Sequence, residues 1–244
     1  MDREIETLKN LINNSKKIVF FGGAGVSTES GIPDFRSESG LYKLKSKWNT
    51  PYEVMLSHSY FESSTTKFFE FYREFMINEN AKPNPAHLYL AELEKTKKVT
   101  IITQNIDGLH QLAGSKNVLE LHGSIHRNYC TGCGKFYSLE DINKLGTTPI
   151  CPHCGKVIKP DVVLYEEPLN EAITTKALIA LQEADLLIIA GTSLNVYPAA
   201  SMINYFYGNN IVVINKDHLP IHKEIALEIN SKIGEVFDKL KNEQ

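Results

Sequence analysis

The stretch FFGGAGVSTESGIPDFRS, Phe20 to Ser37, places a glycine turn directly after a short apolar segment, residues 18–21, and a second turn, Gly31-Ile32-Pro33-Asp34, directly before Phe35-Arg36. Consecutive rather than alternating apolar residues are the mark of a strand buried on both faces. The same signature recurs at 99–103, 162–165, 186–190 and 211–214. Between these runs the apolar spacing turns helical, at 85–95 with Asn84 as N-cap, at 171–184 and at 198–207. An amphipathic helix carrying Ile5, Leu8, Leu11 and Ile12 leads into the first strand. Strand alternating with helix predicts an α/β fold with a doubly wound, parallel, Rossmann-like sheet.

Two segments break that rhythm. Residues 34–77 are rich in aromatics, among them Tyr42, Trp48, Tyr60, Phe68, Phe69, Phe71 and Tyr72, and residues 126–156 hold all four cysteines. Both read as insertions that form a smaller domain, one helical and one a zinc ribbon, leaving 1–33, 78–125 and 157–244 to the sheet domain.

The bulk properties exclude several classes. A chain of 244 residues with 42% hydrophobic content supplies an ordinary core, and a formal charge of −3 lacks the positive field of a protein that grips nucleic acid by bulk electrostatics. The first residues, MDREIETLKN, do not resemble a signal peptide, and no apolar run approaches the roughly 20 residues that span a bilayer. The expectation is a cytoplasmic, monomeric protein with no membrane and no direct nucleic-acid partner, whose cysteines are metal ligands or free thiols rather than disulfides.

Cys130-x-x-Cys133 and Cys151-x-x-Cys154, separated by a segment of zinc-ribbon length, supply the four sulfur ligands of one tetrahedral zinc ion. His126 and His153 are the alternative ligands, but the paired cysteines already complete the coordination number. A site closed in this way holds no water to activate, so the metal is structural and the chemistry lies elsewhere.

The loops at the predicted strand ends are polar and small. Gly23-Ala24-Gly25-Val26-Ser27 would set backbone N–H groups against a phosphate, although it lacks the third glycine of the dehydrogenase fingerprint. Gly191-Thr192-Ser193 and Asn215 follow two further strands, and Thr103-Gln104-Asn105-Ile106-Asp107-Gly108-Leu109-His110 leaves another. In an open parallel sheet such loops line one crevice. His122, in Glu120-Leu121-His122-Gly123-Ser124, reads either as a buried core histidine or as a general base, and the surrounding polar loops favour the base.

Taken in order, these motifs, together with Ser30-Gly31-Ile32-Pro33-Asp34-Phe35-Arg36 and Gly191-Thr192-Ser193-Leu194, resemble the sirtuin family of NAD-dependent protein deacylases over nearly the whole chain. The resemblance implies NAD and one structural zinc as cofactors, and acylated-lysine proteins as substrates. It implies that Gly23, Ala24, Gly25, Ser27, Asp34 and Arg36 meet the phosphates and ribose, that Phe35 covers the nicotinamide-ribose bond, and that Asn105, Ile106 and Asp107 form the nicotinamide pocket with Gln104 on the ribose. Gly191, Thr192, Ser193, Asn215, Lys216 and Ile233 would hold the adenosine half, and His122 would be the base. The substrate backbone would add as a strand between Tyr165-Glu166-Glu167 and Val196-Tyr197, with Val163 against the acyl amide.

This chain departs from the family at three places. Gly22 stands where threonine is usual, and Tyr165-Glu166-Glu167 stands where phenylalanine-glycine-glutamate is usual, adding a carboxylate to the substrate strand. Tyr72 is followed three residues later by Phe75, where members that remove acidic acyl groups carry arginine, so neutral acyl groups are expected. The alternative on the same scaffold is ADP-ribosyl transfer or NAD hydrolysis. The rival outside enzymes is a zinc-ribbon module that binds nucleic acid and senses NAD.

Overall fold

A computed structural model describes residues 1–35, 40, 48 and 50–242. In chain order its strands are β1 Lys17–Gly22, β2 Lys98–Thr103, β3 Val118–Glu120, β4 Gly123–Cys130, β5 Phe136–Ser138, β6 Ile158–Val162, β7 Leu186–Ala190, β8 Asn210–Ile214 and β9 Leu227–Ile229. Six of them form one sheet in the order β3-β2-β1-β7-β8-β9, with every adjacent pair parallel. β1, β2, β7 and β8 are buried along almost their whole length, which is why they read as unbroken apolar runs.

Helices cover both faces. α1, Asp2–Asn14, buries the stripe Ile5, Leu8 and Ile12. On the same face Phe20, Val99, Ile101, Leu186, Ile188 and Val212 of the sheet meet that stripe and the helices α5, Pro85–Leu93, and α9, Ile233–Asn242. The opposite face, with Val19, Phe21, Ile102, Leu187, Ile189 and Val213, is covered by α8, Glu171–Glu183, and a 3₁₀ helix, Ala199–Tyr205. The chain travels outward on one side of β1 through β2 and β3, then on the other through β7, β8 and β9, so its direction of winding switches between β1 and β7.

The inserted segments share one core. α2 Tyr52–Met55, α3 His58–Ser63 and α4 Thr65–Phe75 contribute Met55, Phe61, Phe68, Phe69, Phe71 and Tyr72. The antiparallel sheet β5-β4-β6 and the short α7, Leu139–Asn143, contribute Ile125, Tyr137, Ile142, Ile158 and two of the cysteines. Neither insertion buries its apolar side chains alone, and each completes the other.

Three expectations need correction. The run 162–165 is not a strand of the parallel sheet: the strand ends at Val162, carries Pro160, pairs antiparallel with β4 and alternates in burial. The segment 198–207 forms a 3₁₀ helix over Ala199–Tyr205 rather than an α-helix. The parallel sheet also contains β3 and β9, three residues each and too short to announce themselves by periodicity. Among the described residues no helix is long and apolar enough to cross a membrane.

Candidate active site

In a doubly wound sheet, ligands bind beyond the carboxyl ends of the strands at the point where the winding switches. Here that point lies between β1 and β7, flanked by the turn predicted to meet a phosphate, after β1, and by the Gly191-Thr192-Ser193 turn after β7. The turn after β1 begins at Gly23 and continues as a 3₁₀ helix, Ala24–Ser30. It is stitched to the loop after β7 through Gly23 N–H to the Ala190 carbonyl (3.1 Å) and Gly25 N–H to the Gly191 carbonyl (2.8 Å). The approach is too close for side chains: a Cβ on Gly25 would lie 2.7 Å from the Gly191 Cα, and Gly191 itself has φ 58°. Gly22 has a local explanation too, since a Cβ there would meet the Phe20 ring at 2.8 Å and Val26 at 3.2 Å.

A polar group closes the front of this turn. Ser27 Oγ donates to Asp107 Oδ2 (2.7 Å) and accepts from Asn105 Nδ2 (3.0 Å), while Asp107 Oδ1 accepts from Leu109 N–H (2.9 Å) at the start of α6, Leu109–Ala113. Gln104 Nε2 donates to Thr192 Oγ1 at 3.1 Å, which joins the loop after β2 to the loop after β7. Ser27, expected at the phosphates and ribose, is thus joined to Asn105 and Asp107, expected in the nicotinamide pocket. Phe35 and Ile106 pack against the core shared by the insertions, at its border with the crevice. Arg36 lies outside the described residues.

Of the residues expected to hold the adenosine half, Asn215 is buried at the end of β8, with its side-chain amide donating to the Asp217 carbonyl at 2.8 Å, and Lys216 beside it is exposed. Ile233 is buried at the start of α9, and its Cδ1 would lie 2.7 Å from a Cβ on Gly191. Two residues that sequence reasoning did not place fasten these parts. Glu29 Oε2 accepts Gly234 N–H at 2.5 Å, tying the 3₁₀ helix to α9, and Asn84 Nδ2 donates to the Val26 carbonyl (2.7 Å) and to Ser30 Oγ (3.0 Å). Asn84 was legible as the N-cap of α5, but nothing in the sequence connects that cap to the turn after β1.

His122 stands between β3 and β4, half-buried, with Nδ1 2.9 Å from the Gln104 carbonyl. A carbonyl only accepts, so Nδ1 carries the proton and the Nε2 lone pair is left to act as a base. Burial pushes this imidazole below its ordinary pKa, with the Gln104 bond opposing, which keeps it neutral near pH 7. The next residue, Gly123, has φ 78°, and a Cβ there would fall 1.9 Å from the Asp161 carbonyl, so no other residue fits.

Behind the Asp107 loop lie two histidines not singled out from the sequence for a site role, His87 and His110, with ring centroids 4.6 Å apart and both almost wholly buried. His87 Nε2 and both ring nitrogens of His110 have no hydrogen-bond partner among the described residues. Burial lowers the pKa of His87 to about 4 and, with His87 adding to the effect, that of His110 to about 3. Both must be neutral in the folded protein, whereas in the unfolded chain they titrate at the ordinary value of about 6.5. Their contribution is intact above that pH and declines as pH falls below it, by about 2 kcal/mol per histidine at pH 5. Urea unfolding should show the midpoint dropping between pH 7 and pH 5, and His110→Phe should make the drop smaller by about one histidine's share. An equal drop in the variant would contradict this assignment.

The four cysteines converge as expected. Their sulfur atoms all lie within 4.8 Å of one another, with Cys130–Cys154 at 3.2 Å and Cys133–Cys151 at 3.8 Å. A tetrahedron with Zn–S bonds of about 2.3 Å has S–S edges of about 3.8 Å, so the set fits zinc. Gly132 and Cys133 N–H groups lie 3.4 and 3.5 Å from Cys130 Sγ, and Tyr137 Oη lies 3.1 Å from Cys151 Sγ, an arrangement that favours thiolates. His126 is not in this cluster; its Nε2 donates to the Asp107 carbonyl at 3.0 Å.

The proposed peptide edge runs on from β6. Val163 N–H donates to the His122 carbonyl (3.0 Å), and Tyr165 pairs in parallel with Ser57 through Tyr165 N–H to the Leu56 carbonyl and His58 N–H to the Tyr165 carbonyl, both 3.0 Å. Of the other two residues expected to flank the peptide, Val196 is half-buried and Tyr197 is 74% exposed. The added carboxylate of Glu166 is turned to Ser59, and that of Glu167 to His58 and Lys159.

A family model described as the Sir2 family matches residues 23–198. A protein of Clostridium acetobutylicum named NAD-dependent protein deacetylase is 58% identical over 237 residues, 96% of this chain and 97% of that one. A solved Sir2 variant with a deacetylated p53 peptide and 3′-O-acetyl-ADP-ribose superposes with a TM-score of 0.89 at 35% identity, covering 98% of both chains. A Sir2 complex with a p53 peptide and NAD+ gives 0.86 at 36% identity, again over 98% of both.

Proposed function

The chain belongs to the Sir2 family and is an NAD-dependent protein deacetylase, and on that premise we propose how its own residues divide the work. When bound, NAD supplies a ribose carbon made electrophilic by departure of nicotinamide, and the acetyl group leaves the lysine as O-acetyl-ADP-ribose. The observation that carries the assignment is the Ser27–Asp107–Asn105 group set beside the winding switch, one loop away from His122.

Gly23, Ala24, Gly25 and Ser27 face the phosphates and the nearer ribose, and Asp34 and Arg36 are assigned to the same groups. Asn105, Ile106 and Asp107 hold the nicotinamide carboxamide, whose amide needs both a donor and an acceptor, while Phe35 excludes water from the bond that breaks. Gln104 and Thr192 bridge the two halves, and Gly191, Ser193, Asn215, Lys216 and Ile233 take the adenosine. His122 accepts a ribose hydroxyl proton at Nε2. The acyl-lysine peptide adds its backbone between residues 163–167 and Val196-Tyr197, and such pairing reads main chain, so substrate sequence preference is loose. The division into a sheet unit (1–33, 78–125, 157–244) and an inserted unit (34–77, 126–156) belongs to the same proposal, because it sets the peptide between them.

The test is incubation with NAD and a panel of acyl-lysine peptides, with nicotinamide and O-acyl-ADP-ribose measured together. Equal yields of both are expected; nicotinamide accompanied by ADP-ribose alone, or by labelled protein, would sink the deacetylation assignment in favour of hydrolysis or ADP-ribosyl transfer. The same panel tests acyl preference. Tyr72 is buried within the aromatic cluster of α4, stacked on Phe68 at 5.6 Å, and Arg73 is engaged with Asn143 and the Ile142 carbonyl. Phe75 stands where members that remove acidic acyl groups carry arginine, so a carboxylate on the acyl chain would be desolvated without a cation at that position to meet it. Acetyl-lysine should turn over at least about tenfold faster than succinyl-lysine, the effect of roughly one uncompensated polar contact; the reverse order would contradict the reading.

A further inference from the structure

Glu166 is one of two non-glycine residues with positive φ among those described, at 77°. Glutamate gains nothing locally in that conformation, which costs a residue with a Cβ and is left to glycine in most turns. Something outside the turn holds it. Its Oε2 accepts two hydrogen bonds from Ser59, from the backbone N–H at 2.9 Å and from Oγ at 2.5 Å, in the first turn of α3. These bonds, the side-chain one foremost, hold the Glu166 carboxyl below its ordinary pKa, so it is ionised at neutral pH.

The neighbouring residues strengthen the same junction. Glu167 Oε1 lies 2.8 Å from His58 Nδ1, while its Oε2 accepts from Lys159 Nζ (3.1 Å) and from Leu164 N–H (2.9 Å). Tyr165 contributes the two main-chain bonds to Leu56 and His58. Three successive residues thus clasp the start of α3, and α3 belongs to the helical insertion whereas residues 163–167 run directly on from the carbonyl of His122.

From this geometry we propose that Glu166 is a positioning residue for the acyl-lysine peptide: by gripping Ser59 it fixes residues 164–167 as a preformed edge against which the substrate backbone pairs. This rests on the reading that the peptide docks along that edge. The carboxylate itself is spent on Ser59, so the residue acts through the segment it holds rather than by meeting substrate charge. When the grip is lost, the edge samples other conformations, and apparent peptide affinity falls by the fraction of time it is formed.

The experiment compares the parent with Glu166→Ala, Glu166→Gln and Ser59→Ala. Hydrogen exchange read by mass spectrometry reports the clasp without any substrate, and steady-state kinetics together with NAD titration report its use. In Glu166→Ala, exchange in peptides covering 57–60 and 163–167 should accelerate, and KM for acetyl-lysine peptide should rise about 10- to 100-fold, the range for lost hydrogen bonds to a charged group. NAD affinity should stay within about twofold of the parent, and kcat at saturating peptide should change far less than KM, because the phosphate turn and His122 are untouched. Glu166→Gln, whose amide oxygen keeps an acceptor for Ser59, should recover most of the parent KM, and Ser59→Ala should fall between. Faster exchange with an unchanged KM would overturn the positioning role. A parent protein that cleaves NAD but shows no saturable peptide binding would overturn the docking reading, and the proposal with it. Equal losses in NAD affinity and peptide KM would reduce Glu166 to a general structural contact and also overturn it.

Discussion

His122→Ala is expected to lose deacetylation by about 10²–10⁴-fold while binding NAD as tightly as the parent, the usual cost of deleting a positioned general base. The imidazole offers three things at once. Its Nδ1–H is committed to the Gln104 carbonyl at 2.9 Å, which fixes ring orientation and tautomer. Its pKa is held below the ordinary histidine value by burial, so the basic nitrogen is unprotonated at neutral pH and stays so somewhat further into acid than a free histidine would. Its backbone carbonyl receives Val163 N–H, so the base and the peptide edge are positioned by one residue. The side chain is hydrogen-bonded to the Gln104 carbonyl, whereas Ser27, Asn105 and Asp107 bond one another, and the capture of NAD is therefore largely independent of it. The check is kcat/KM with an acetyl-lysine peptide beside NAD affinity by calorimetry. A folded, metal-loaded variant that deacetylates at the parent rate would return His122 to a core role and require another base.

The crevice was readable from the sequence to the extent that short loops follow strong strands. β1, β7 and β8 are unbroken apolar runs, and the residues after them, Gly23-Ser27, Gly191-Ser193 and Asn215, had to lie at one edge of the sheet once the strands were taken as parallel. The cysteine spacing carried its own geometry. What the sequence could not show were interactions made by residues whose type has other uses. Glu29 and Glu166 look like surface carboxylates until Gly234 and Ser59 are seen beside them. His87 and His110 look like ordinary helix residues, 23 positions apart, and only the packing of α5 on α6 brings their rings together in the interior. The misplacement of 162–165 has a similar origin: Val162 to Tyr165 is apolar enough to imitate a buried strand of the parallel sheet, but its partners are Gly123 in the antiparallel β4 and then Leu56 beside α3.

Removing the metal should abolish activity altogether, because the zinc cluster and the helical insertion stand or fall together. The cysteines are presented by two tight turns, closed by Gly134 N–H to the Cys130 carbonyl (3.0 Å) and Gly155 N–H to the Cys151 carbonyl (2.9 Å), with both glycines in the left-handed region. The elements around them are too short to persist alone: β5 has three residues and α7 five. Their apolar side chains, Tyr137, Leu139, Ile142 and Ile158, face Phe68, Phe69, Phe71 and Tyr72 of α4 rather than a core of their own. Binding free energies of four-thiolate zinc sites are comparable to the whole stability of a small domain, so the loss exceeds anything the remaining contacts can offset. Strong chelation, or Cys151→Ser, should release one zinc per chain, open 123–162 to proteolysis and stop deacetylation through the loss of the edge at Leu56–Ser59 and Tyr165. The parallel sheet, with its own core on both faces, should survive and retain weak NAD binding. The decisive observation is the proteolytic pattern of the metal-free protein set beside its turnover: if 123–162 stays protected and peptide is still deacetylated at the parent rate, the sulfur cluster is not what holds the inserted unit together.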